Sequence, residues 1–72
     1  MMNEETYIIV KEDWVNRGVF YDFQDYEIIY VGTDNKKANE EFNSFNFGIM
    51  SVWQNGLLVM RYKKHNGKVY ED

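Results

Sequence analysis

Apolar and polar residues fall into short runs divided by glycine and asparagine, the pattern of strands joined by tight turns. The clearest case is residues 49–62, IMSVWQNGLLVMRY, where Asn55 and Gly56 separate two such runs. Both residue types tolerate positive φ, so the pair predicts a two-residue type I′ hairpin, whose twist matches that of its strands. Counted outward from the turn, Gln54 faces Leu57, Trp53 faces Leu58, Val52 faces Val59, Met50 faces Arg61 and Ile49 faces Tyr62. The pleat then sets Ile49, Trp53, Leu58, Met60 and Tyr62 on one side and Met50, Val52, Leu57 and Val59 on the other. Both sides are apolar. A second turn of the same chemistry, Asn66 and Gly67, folds residues 68–72 back on the hairpin, with Lys64 opposite Val69, Lys63 opposite Tyr70 and Arg61 opposite Asp72. The C-terminal part is thereby a three-strand meander.

Residues 1–5 are polar and expected to fray, and TYIIVK at 6–11 reads as a first strand from its β-branched and aromatic content. Asn16, Arg17 and Gly18 signal a turn, after which VFYDF at 19–23 returns as a second strand. YEIIYV at 26–31 is a further strand, with Tyr26, Ile28 and Tyr30 on one side and Ile29 and Val31 on the other. Gly32 ends it, and Thr33 or Asp34 caps a helix over residues 35–43, along which Ala38, Phe42 and Phe45 recur at i, i+4 and i+7. Lys36 and Lys37 lie at the positive end of its dipole and Glu40 and Glu41 toward the negative end, so the helix depends on docking its two phenylalanines. The expected fold is α+β: a single small domain over residues 1–72, one helix packed on an antiparallel sheet of five to six strands that ends in the C-terminal β-meander.

A chain of this size buries only about 60% of its unfolded surface, so its core must come from large side chains. Five Phe, six Tyr and two Trp supply them. With no cysteine, neither disulfides nor thiolate metal sites can assist, which suits a reducing compartment. No apolar run approaches the length of a membrane span, and residues 1–10 lack the features of a signal peptide. A cytoplasmic protein of a bacterium or of a phage-infected cell is expected, the abundance of Asn, Lys, Ile and Tyr pointing to an AT-rich source genome. Charge divides the chain: residues 1–35 hold eight acids against Lys11 and Arg17, a balance of −6, while residues 36–72 hold six bases against four acids, a balance of +2. Such asymmetry governs partners and association kinetics rather than fold.

Catalytic chemistry finds little footing. His65 is the single histidine and stands beside a turn, while Ser51 sits within a strand and Ser44 after the helix. The carboxylate pairs Glu4/Glu5, Glu12/Asp13 and Glu40/Glu41 are adjacent in sequence and so diverge, unlike a general acid and base. No spacing of Asp, Glu and His matches a metal site, and Gly32 lacks the companions of a phosphate loop. The expectation is a non-enzymatic protein with no cofactor, metal or small-molecule ligand. Three surfaces compete as binding sites. The basic hairpin of Arg61, Lys63, Lys64 and Lys68 interleaves cations with aromatics, as nucleic-acid grips do, yet edge-protecting lysines account for it better. Residues 12–27 place Trp14, Phe20, Tyr21, Phe23 and Tyr26 among Asp22, Asp25 and Glu27, which reads either as interface anchors ringed by negative charge or as a roof over the sheet. Finally, one short helix shelters one sheet face, so the Met50, Val52, Leu57 and Val59 side is left for another chain, and a homodimer through it is the alternative to a protein partner held by residues 12–27.

Two resemblances bear on function. YIIVKED, Gly18 before VFYDFQD, and Gly32, Thr33 and Asp34 leading into ANEEF together resemble the strand, strand and helix of the HicB-type antitoxin domain, with Gln24 where that family carries proline. In size, acidity and composition the chain is similar to small phage-encoded inhibitors of bacterial defence, anti-CRISPR proteins among them. Both imply a stoichiometric inhibitor of a basic, nucleic-acid-acting protein.

Overall fold

The computed structural model describes residues 4–72. They form one five-stranded antiparallel sheet and one short helix, in the order β1 (Glu5–Asn16), β2 (Tyr21–Gly32), α1 (Asn35–Phe42), β3 (Gly48–Gln54), β4 (Leu57–His65) and β5 (Lys68–Glu71). Across the sheet the strands run β2-β1-β3-β4-β5. The expectation of fraying at residues 1–5 lies outside the described residues at positions 1–3, and Glu5 already opens β1.

Both Asn-Gly turns form as their chemistry dictates. Asn55 and Gly56 have φ of 53° and 77°, and Asn66 and Gly67 have 51° and 83°, the doubly positive φ of a type I′ hairpin. Near each turn the pairing follows the count, with Gln54 opposite Leu57, Trp53 opposite Leu58, Lys64 opposite Val69 and Lys63 opposite Tyr70. Beyond Leu58 the first hairpin departs from it. Val52 pairs with Met60, making Val59 the extra residue of a β-bulge, so Ser51 faces Arg61 and Met50 faces Tyr62. That single insertion moves Met60 and Tyr62 to the side of Met50 and Val52.

The N-terminal half is simpler than its turn signals imply. Residues 19–23 and 26–31 do not make two strands: Val19 and Phe20 belong to the turn, and Tyr21–Gly32 is one twelve-residue strand pairing with β1 along its whole length. Two bulges, at Gln24 and Ile29, absorb the irregular alternation that separates the two runs in the sequence. The second bulge places Ile29 and Tyr30 together against the core.

Asp34 caps α1, its carboxylate accepting from the Lys37 amide at 3.1 Å. The helix lies over β1, β2 and β3. Ala38, Phe42 and, just past the helix end, Phe45 join Tyr7, Ile9, Met50 and Val52 in one buried cluster, flanked by Met60 and Tyr62. Gly48 lets the chain turn from Phe45 into β3, for a Cβ there would run into the Phe45 ring and the Val10 carbonyl. Because α1 stops short of β4 and β5, a groove of about 470 Å³ opens beside it, with Asn35 and Asn39 on one wall and Met60, Tyr62 and Val69 on the other.

Candidate binding surface

β1 and β2 outrun the rest of the sheet. β3 pairs with β1 from Glu5 to Lys11, and one more bond, from the Glu12 amide to the Phe47 carbonyl at 2.9 Å, ends that ladder. Beyond it β1 and β2 continue as a two-stranded arm, in a molecule 51 Å long and about 20 Å across. Its tip is a tight loop. The Arg17 amide donates to the Phe20 carbonyl at 2.8 Å, Gly18 adopts φ of 91°, and the Asn16 side-chain oxygen accepts the Gly18 amide at 2.8 Å. Val19 is 94% exposed there and Phe20 is exposed beside it.

Alternation sorts the arm's side chains. The pairs Glu12/Tyr26, Trp14/Phe23 and Asn16/Tyr21 share the face opposite the helix, whereas Lys11/Glu27, Asp13/Asp25 and Val15/Asp22 share the helix-side face. Anchors ringed by negative charge are therefore not what the fold builds. Asp22, Asp25 and Glu27 stand on one face and Trp14, Tyr21, Phe23 and Tyr26 on the other, with Phe20 at the tip. Neither does this segment roof the sheet, since it is itself sheet.

The aromatic face gathers two residues that the linear reading passes over, Phe47 and His65. Trp14 meets Phe23 edge-on at 5.4 Å, and His65 stands edge-on to Trp14 at 5.6 Å, to Tyr21 at 5.8 Å and to Phe47 at 5.1 Å. Trp14 also donates its indole N–H to Glu12 at 3.2 Å. A usable signal exists in the spacing: Phe47 precedes Ile49 by two and His65 follows Lys63 by two, and Ile49 and Lys63 face each other across the hairpin. The same face continues over the sheet through Ile8, Val10, Ile28, Val31, Ile49 and Trp53. Ile28 is 60% and Val31 59% exposed, and nothing within the described chain covers them.

The homodimer face expected from the hairpin is corrected by the core. Met50 and Val52 are only 7% and 6% exposed, and they lie under Phe42 and Phe45; Leu57 and Val59 alone remain exposed. The physical reason is the Val59 bulge, which adds Met60 and Tyr62 to the Met50 side, where Phe42 and Phe45 dock. The basic hairpin is likewise reduced. Lys64 is buried, its ammonium donating to the carbonyls of Phe42 at 2.6 Å and Phe45 at 3.1 Å and lying 4.6 Å over the Phe42 ring. It closes the C-terminal end of the helix, where unsatisfied carbonyls favour a cation. Burial pushes its pKa below the ordinary lysine value. Arg61, which pairs with Asp72 at 3.4 Å, stays exposed with Lys63 and Lys68.

Hydroxyl and imidazole groups serve structure. The Ser44 hydroxyl donates to the Glu41 carbonyl at 2.6 Å, and Ser51 accepts the Trp53 indole N–H at 3.0 Å. Tyr7 takes a hydrogen bond from the Asn35 amide and gives its own proton to Glu5, both at 2.9 Å. Among the described residues no group of three or more His, Cys, Asp and Glu could hold a metal ion, and no helix is long and apolar enough to cross a membrane. No protein-family model, curated protein or solved structure matches the chain, so the resemblances drawn from its residues rest on those residues alone.

Proposed function

We propose that this protein is a small non-catalytic inhibitor or regulator that binds a basic, nucleic-acid-acting protein through the β1–β2 arm, acting in the cytoplasm in the manner of phage-encoded anti-defence proteins. The observation that carries the reading is the two-faced arm. Asp13, Asp22, Asp25 and Glu27 form an acidic face against Lys11 and against Arg17, which pairs with Asp22 at 3.4 Å, while Phe20, Phe23 and Tyr26 offer exposed rings at the tip and on the far side. The acids draw a cationic surface in and orient it, and the rings supply the desolvated contacts that slow its release. A projection already ordered by the β1–β2 ladder loses less conformational entropy on entering a nucleic-acid cleft than an unpaired segment does. The HicB-type resemblance points the same way, toward one-to-one occupation of a partner. A non-catalytic role is supported by His65, Ser44 and Ser51, each engaged in ring packing or hydrogen bonds.

The test is affinity capture from a bacterial host lysate on three immobilised forms: wild type, Asp22→Lys/Asp25→Lys and Phe20→Asp/Tyr26→Asp. Phe20, Tyr26 and Asp25 are exposed, whereas Asp22 is half-buried and accepts from Arg17 and Gln24, so each variant's far-UV circular dichroism is first matched to wild type. The reading requires a basic protein retained by wild type, eluted by moderate salt, and lost from both variants. Identical captured sets on all three forms would overturn it.

A further inference from the structure

The bare face of the sheet makes a separate demand, independent of what the arm binds. We infer that it closes against a second copy of this chain, giving a twofold symmetric β-sandwich in which the two helices lie outermost and the tips and acidic faces of the arms remain available.

Four features lead there. The first is extent. Four strands about 4.8 Å apart, over an overlap of about seven residues at about 3.3 Å each, with the four residues of β5, give a face of about 500 Å² in projection, and the near half of the arm raises it to about 600 Å². A stable protein interface buries about 800 Å² on each partner, so the face is the right size to close on one equal surface. The second is composition. Ile8, Val10 and Ile49 occupy its centre, Ile28 and Val31 one margin and Leu58 another, a β-branched and aliphatic surface of the kind buried between the sheets of a sandwich. The third is charge. Four acids of the arm, Asp13, Asp22, Asp25 and Glu27, project from the opposite side, so most of the arm's negative charge lies away from the approaching face. The charges on the bare face itself lie off its centre: Glu12 on β1, and Lys63, Lys68 and the Arg61–Asp72 pair on β4 and β5. A twofold axis along β3, the middle strand, lays β1 of one copy over β4 of the other and β2 over β5, bringing Glu12 to the β4 strand that carries Lys63. The fourth is the edge. β2 is a twelve-residue edge strand, but its bulges at Gln24 and Ile29 interrupt the ladder it would offer and discourage edge-to-edge addition, leaving the face as the route of association.

Sedimentation velocity and light scattering over a dilution series decide the matter. Wild type is expected to sediment as a species of twice 8.7 kDa that dissociates on dilution, with a thermal midpoint that rises with protein concentration. Ile28→Lys/Val31→Lys, at two exposed edge-strand positions, should weaken the dimer by about a hundredfold or more, since each lysine would be buried unpaired. Leu57→Lys, on the helix side of β4, should leave it unchanged. Should the double variant lose its far-UV circular dichroism, Tyr70→Lys on β5 replaces it with the same expectation. A wild type that stays monomeric at every concentration, or a dimer indifferent to Ile28 and Val31, overturns the inference. So would a mixed-sequence single-stranded oligonucleotide that binds the wild-type monomer at low salt and is released by Ile28→Asp, which would assign the face to nucleic acid.

Discussion

The two faces of this sheet are built from similar residues and meet different fates. On one, Tyr7, Ile9, Met50 and Val52 disappear beneath Ala38, Phe42 and Phe45. On the other, Ile28, Val31 and Leu58 remain open, although they are as apolar as the residues beneath the helix. Alternation makes both faces greasy, and a single eight-residue helix can shelter only one. Burial within the chain is thus decided by where the cover lands, and the face it misses stays exposed. The arm repeats the lesson on a smaller scale: acids and rings adjacent in sequence become opposite sides of one ribbon.

The contrast can be broken most sharply at Phe42, which is 4% exposed. Phe42→Ala should cost about 3–5 kcal/mol in denaturant unfolding, enough to unfold a domain of this size. Lys64→Met comes next. It strips the Phe42 and Phe45 carbonyls of their shared donor, for an expected loss of about 1–3 kcal/mol. This variant also carries a pH signature. Burial holds the Lys64 pKa below its ordinary 10.5, so between those values the unfolded chain keeps a proton that the folded chain has released, and stability rises with pH across that window. Unfolding curves at a series of alkaline pH values should therefore show the wild-type advantage over Lys64→Met widening toward 10.5.

Tyr7 works in the opposite sense. The Asn35 amide favours its phenolate, but burial, the hydrogen bond to Glu5 and the Glu5 charge outweigh it and raise the pKa above 10.0. Above that value the unfolded chain ionises first, so stability falls as pH rises, and Tyr7→Phe should remove that fall. On the bare face the expectation is much smaller. Ile28→Thr, measured at high dilution, should change unfolding free energy by no more than about 0.5 kcal/mol, and a loss comparable to that of Phe42→Ala would show that the face is buried within a single chain. The smallest effect is assigned to the Arg61–Asp72 pair, about half exposed on both sides. Asp72→Asn should cost at most about 0.2–1 kcal/mol and nothing measurable in high salt.

Local chemistry settled a good deal without the fold. Asn55 with Gly56 and Asn66 with Gly67 had no cheaper conformation than their turns, Asp34 was placed to cap the helix, and the runs around Ile8, Ile28, Val52, Val59 and Val69 had strand character whatever their neighbours. Each of these depends on the few residues on either side of it. What lay beyond reach were the single-residue insertions at Gln24, Ile29 and Val59. Strand alternation can be counted from a turn only until an extra residue enters, and that residue is chosen by the fit of one strand against another and of a helix against both. Hence Met60 and Tyr62 changed sides, Met50 and Val52 went under the helix, and Lys64 became the buried donor at the helix end. The sequence determined that this would be an antiparallel sheet with more apolar surface than its helix could cover; which surface was left open was decided by packing, because parity is a property of paired strands and not of any one of them.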